Sequence, residues 1–148
     1  MQTDAQPDAQ PEAQTGTPTR YAGSFTLDSW DQQDDDPSPD GVVAGRARVT
    51  KTFSGELVGT SRTQLVLVGT PSGSRAYSGF EQVSGTVAGR TGAFLLRHAA
   101  EGDATGGWMT WTVLPGSGTG ELAGVGGEGQ ITRADDGSHT YWLDLTFG

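Results

Sequence analysis

The chain is expected to fold as an all-β, eight-stranded antiparallel up-and-down barrel, and three observations lead there. From Tyr21 onward, short runs of Val, Leu, Phe, Tyr and Trp are punctuated by Gly, Thr and Ser. No apolar repeat of the helical period of about 3.6 residues persists for three turns. The runs number about eight at the spacing of a barrel or sandwich, and closing such a meander on itself removes its exposed edges.

The runs fall at 21–30, 44–53, 56–68, 75–88, 92–100, 107–114, 122–133 and 138–147. Between them lie Ser54-Gly55, "TPSGS" at 70–74, Gly89-Arg90-Thr91-Gly92, "EGDATGG" at 101–107, "PGSGTG" at 115–120 and Asp136-Gly137. All carry turn chemistry, and connections this short favour antiparallel neighbours. Ahead of them, residues 1–19 are rich in Gln, Pro, Ala, Thr and acids, without an aromatic or branched aliphatic side chain. Such a segment cannot bury enough apolar area to offset its ordering entropy, so 1–19 reads as a disordered tail and 20–148 as one barrel domain.

Composition narrows the function. The net charge of −9 argues against nucleic acid or an anionic membrane as partner, since both need basic patches. Without cysteine there is no disulfide, thiol nucleophile or thiolate metal site. The start of the chain has neither the charged nor the apolar region of a signal peptide, and no apolar run is long enough to span a bilayer. The expectation is a cytoplasmic protein without a cofactor.

Side chains alternate between the two faces of a strand, so the more apolar parity of each run marks the barrel interior. The first run offers Tyr21, Phe25 and Leu27; the second Ala47, Val49 and Phe53; the fourth Tyr77, Val83 and Val87. The fifth offers Phe94 and Leu96, the sixth Met109, Trp111 and Val113, the eighth Tyr141, Leu143, Leu145 and Phe147. The third run is ambiguous and the seventh too glycine-rich to orient. Three ionisable residues share these apolar parities: Lys51, the only lysine in the chain, with Glu81 and His98. A buried charge needs a partner, so the three are expected to meet inside the barrel as a catalytic group. Each also has a structural reading. Lys51 could snorkel from a strand end, Glu81 could bond a loop at the barrel mouth, and His98 could be a neutral core imidazole.

Other signals carry less. "GVGGEG" matches a dinucleotide fingerprint, but a strand-like "QITR" follows where a helix is needed. "PGSGTG" lacks a phosphate-loop lysine. The acidic stretch "DQQDDDPSPD" at 31–40 lacks calcium-loop spacing and reads as a solvated loop or lid. His98 and His139 are too few for a zinc site, so no metal is expected. Outward-facing Val66, Val68, Phe80, Leu95, Trp108 and Trp142 suggest a homo-oligomer interface.

"RVTKTFSGELVGTS", "YSGFEQVSGTVAGRTGAFLLRH", "WTVLPGSGTGELAGVGGEG" and "HTYWLDLTF" resemble a bacterial family of small uncharacterised domains whose barrel is similar to that of plant allene oxide cyclase. The resemblance covers about residues 21–147. It implies an allene-oxide-cyclase-like barrel with a ligand-sized interior. Barrels of that kind include allene oxide cyclases, dirigent proteins and bacterial polyketide cyclases.

The expected function is a cyclase or isomerase that holds a reactive, polyketide-like apolar intermediate for ring closure. Tyr77, Phe94, Met109, Trp111 and Tyr141 would shape the cavity and hold the chain in a near-attack conformation. Lys51 would donate to a developing oxyanion, while Glu81 and His98 would orient or exchange a proton. The alternative is a barrel that binds a small hydrophobic molecule without turnover.

Overall fold

A computed structural model describes residues 16–148. Its strands, in chain order, are β1 (Thr19–Asp34), β2 (Val43–Gly55), β3 (Leu57–Gly69), β4 (Arg75–Val87), β5 (Arg90–Asp103), β6 (Gly106–Val113), β7 (Thr119–Gly120), β8 (Gly126–Arg133) and β9 (His139–Thr146). Every pairing is antiparallel. β1 to β6, β8 and β9 run as a meander whose last strand returns to the first, closing an eight-stranded barrel. The two-residue β7 merely leans on β5. There is no helix among the described residues. Residues 1–15 of the expected tail lie outside the described residues, and Thr19 already pairs with Leu145.

The two ends of the barrel differ. At one end the connection 114–125 folds across the opening and buries Leu122 and Val125 completely, on turns instead of the strand expected over 122–133. Phe53, Leu57, Val83, Phe94, Leu96, Tyr141 and Leu143 fill the space beneath them into the main core. Gly23 allows one contact there: a side chain at that position would collide with the Ser54 carbonyl and the Tyr141 hydroxyl. Its absence lets Tyr141 donate to Ser54 O (3.0 Å) and accept from Leu57 N (3.0 Å), pinning the β2–β3 turn.

The other end is open. β9 pairs with β1 only as far as His139 opposite Phe25, although β1 continues to Asp34. β8 likewise leaves β6 after Glu128 and Gly129. Beyond those points, β1 keeps only β2 as a strand neighbour, and Leu27 becomes part-exposed despite its inward phase.

The loop expected at 31–40 is a strand as far as Asp34, and β1 holds a further surprise. Its register against β2 shifts between Leu27 and Ser29, so Asp28 is the extra residue of a bulge. Thr26 Oγ1 (2.8 Å) and Thr52 Oγ1 (2.5 Å) donate to the Asp28 carboxylate and hold it on the outside. An extra residue inverts the alternation of everything after it. Trp30, Gln32 and Asp34 therefore stand opposite Val49, Ala47 and Gly45, all on the inner face of β2. On the other oriented strands the expected parity describes the barrel well. On β3, whose parity the sequence leaves open, Leu57, Ser61, Thr63 and Leu65 are buried, while Val58, Val66 and Val68 are exposed.

Candidate functional site

Two adjacent regions of the interior carry the chemistry, a buried charge cluster and a cavity above it. The cluster forms because β2, β3, β4, β5 and β6 each send one polar side chain inward at about the same height. Lys51, Ser61, Glu81 and His98 are all nearly inaccessible, and Trp111 closes the group from β6. Glu81 is the common acceptor. Its Oε1 takes hydrogen bonds from His98 Nε2 (2.6 Å), Lys51 Nζ (3.2 Å) and Trp111 Nε1 (3.2 Å), and its Oε2 takes one from Ser61 Oγ (2.5 Å). The ammonium also lies 4.5 Å from the Phe25 ring centre and 5.7 Å from that of Trp111, within cation–π range.

This arrangement decides the protonation state of the carboxyl. Burial alone pushes it up. The His98 hydrogen bond, the Lys51 charge, the His98 charge and the Ser61 hydroxyl outweigh burial and bring it from 4.5 down to about 2. Because the folded value lies below the unfolded one, the group stabilises the fold above about pH 4.5 and loses that contribution as the pH falls toward about 2. The difference corresponds to about 3 kcal/mol. Urea midpoints measured through this window should fall more steeply for the natural chain than for Glu81→Gln. Parallel acid limbs would mean that Glu81 is not ionised in the fold.

Of the residues expected to act together, Lys51, Glu81 and His98 do meet, in direct contact through one carboxylate. Sequence reasoning missed the remaining donors. Ser61 lies in the run whose parity the sequence leaves open, and the Trp111 N–H is hidden behind the apolar signal of its ring. His98 Nδ1 and the neighbouring Thr63 Oγ1 are buried without a hydrogen-bond partner. With Nε2 donating to the carboxylate, Nδ1 is the free position of the ring.

The cavity occupies the open end and measures about 1000 Å³. Trp30, Gln32 and Asp34 line it from β1, Leu67 from β3, Tyr77 from β4 and Met109 from β6. Lys51, Glu81, His98 and Trp111 do not line it. His98 precedes Ala100 by two residues on one face of β5, and Trp111 follows Met109 by two on β6, while Ala100 and Met109 both line the cavity. The cluster thus lies one side-chain layer, about 7 Å, beneath the floor. Tyr77 bridges the two levels, its ring centre 6.3 Å from that of His98. Burial, followed by the Glu81 charge, pushes its phenol above the usual value.

Among the residues expected to shape a cavity, Tyr77 and Met109 therefore do so. Phe94 and Tyr141 belong to the filled core at the closed end, and Trp111 is the lid between core and cluster. The seal at 114–125 forces this correction, because no space remains beside those two rings.

Comparison with known proteins gives the chain a family. The family described as "Protein of unknown function (DUF3224)" matches residues 21–145, from the start of β1 to the end of β9. The chain belongs to the DUF3224 family. A DUF3224 protein of unknown function from Shewanella oneidensis MR-1, solved as a crystal structure, is similar throughout the barrel. It shares 32% identity and a TM-score of 0.80, and the match covers 88% of this chain and 98% of that one. No curated protein matches the chain. The resemblance to an uncharacterised family thus holds for DUF3224.

Proposed function

We propose that this DUF3224 barrel binds a small molecule with an apolar body in the cavity at its open end. The observation that carries the reading is the cavity itself, about 1000 Å³ and walled by Trp30, Leu67, Tyr77, Trp108 and Met109. That volume is at the upper end of the roughly 300–1000 Å³ usual for small-molecule sites. The aromatic walls supply contact area, and Gln32, Asp34 and Gln130 supply a few polar contacts. The buried cluster serves the site indirectly. By joining five strands through one carboxylate it holds the floor rigid while the end above it lacks pairing between β1 and β9.

A second reading, turnover of a reactive polyketide-like intermediate as in allene-oxide-cyclase-like barrels, is favoured by one detail. His98 is oriented by a carboxylate, has a free Nδ1 and lies directly below the floor. In that reading His98 exchanges a proton with ligand once Tyr77 yields, Glu81 orients the imidazole, and Lys51 balances the charge. Both readings meet one experiment, native mass spectrometry of ligand retained on the purified protein, followed by incubation with the identified compound. A ligand returned unchanged supports binding, and a cyclised isomer supports catalysis. No retained mass, and no protection of Trp30 or Tyr77 by any compound in a screen, would sink both.

A further inference from the structure

The bulge at Asp28 turns three consecutive inner positions of β1 into a fixed polar rail along the cavity wall. Trp30 Nε1 donates to Gln32 Oε1 (2.9 Å), and Gln32 Nε2 donates to Asp34 Oδ1 (2.8 Å). The series settles which way the Gln32 amide points. It also accounts for the indole N–H and one carboxylate oxygen, leaving Asp34 Oδ2 as the free group at the end of the rail. No ion pair reaches Asp34 among the described residues.

The other polar groups of the lining agree in character. Gln130 Nε2 is engaged by the Met109 carbonyl (2.8 Å), so its Oε1 remains as an acceptor. Glu101 adds a second carboxylate at the rim. Arg75 is the one cation there; it begins β4 opposite Gly102 of β5, and among the described residues it makes no ion pair with Glu101 one register step away. Trp30, Tyr77 and Trp108 present aromatic surface, which attracts cations through the ring quadrupole. Acceptors, an unpaired carboxylate and aromatic faces are the complement of an ammonium carried on an apolar body. The chain's net charge of −9 further favours cations over anions at long range.

We propose that the cavity selects a small organic amine, its ammonium on Asp34 Oδ2 and its apolar body against Trp30, Tyr77 and Met109. The proposal deepens the binding reading above and rests on it. The rail specifies the head group, and the space between β1 and β6 specifies the body.

The test uses three probes with one body and different heads: phenylbutylamine, phenylbutanol and phenylbutyrate, titrated against tryptophan fluorescence at low salt. The amine should bind roughly tenfold more tightly than the alcohol, the scale of a charge-assisted hydrogen bond over a neutral one. The carboxylate should bind weakest. Asp34→Asn should bring the amine down to about the affinity of the alcohol, and Trp30→Ala should weaken all three. Asp34 is exposed at a strand end, so the Asn variant should melt as the natural protein does. Equal affinities for the three heads, or tightest binding of the carboxylate through Arg75, would overturn the amine proposal and leave the binding reading standing. An amine preference that survives Asp34→Asn would overturn the role of the rail. If no probe binds at millimolar concentration in either form, the amine proposal and the binding of ligands of this size fall together.

Discussion

Lys51→Met should destabilise the barrel by about 3–5 kcal/mol, read as a fall in urea midpoint at constant slope. The methionine fills nearly the same volume, so the loss is electrostatic. It leaves Glu81, fully buried, without its balancing charge. The companion variants make the result specific. Replacing Glu81 by Leu together with Lys51→Met removes both charges but strands the donors of His98, Trp111 and Ser61, each costing about 1–3 kcal/mol when buried and unpartnered. Lys51→Met with Glu81→Gln is the better repair. The amide oxygen can take the place of Oε1, accepting from His98 and Trp111, while the amide N–H donates to the Ser61 hydroxyl. This second pair should recover most of the stability, and the first pair much less. Equal stability of the two double variants would show that the cluster is an ion pair and nothing more. A Lys51→Met variant as stable as the natural chain would place the ammonium in solvent.

Trp111→Ala should cost about 3–5 kcal/mol, the range for emptying a fully packed aromatic site. The ring is 1% exposed, packs on Phe53, Tyr141 and His98, and forms the lid between the closed core and the cluster. Trp111→Phe keeps most of the contact area and loses the bond to Glu81, so it should cost about 1–3 kcal/mol. Since the tryptophan does not line the cavity, Trp111→Phe should leave probe affinities close to those of the natural protein. A large loss of affinity with little loss of stability would put Trp111 in the cavity wall and invert the division between core and site.

Much of the barrel and of its buried cluster was legible without coordinates, for one reason. Alternation with a period of two is enforced by the pleat of each strand, and a lone lysine, glutamate and histidine in phase with Phe, Val and Leu can point only one way as long as the strand is regular. Their meeting then follows from the cost of burying unpartnered charge. Where regularity failed, parity failed too. The Asp28 bulge is an insertion defined by the partner strand, since only β2 opposite β1 shows that one residue is extra. Trp30, Gln32 and Asp34 therefore could not be assigned to the inner face by counting along the chain. Ser61 and Thr63 were hidden because the β3 aliphatics occupy both parities, leaving no local contrast, and β4 decides the face by placing Glu81 opposite Thr63.

The division between core and cavity was likewise beyond any single strand. Phe94, Tyr141, Tyr77 and Met109 are equivalent as inward aromatic or thioether side chains. Their fates separate only because the 114–125 connection seals one end with Leu122 and Val125, while β9 and β8 stop short of the other. Sequence alone determined which side chains face inward along regular strands, through the local geometry of the pleat. The tertiary structure decided which end is filled, which is open, and which residues the bulge delivers to the opening, because those depend on where neighbouring strands begin and end.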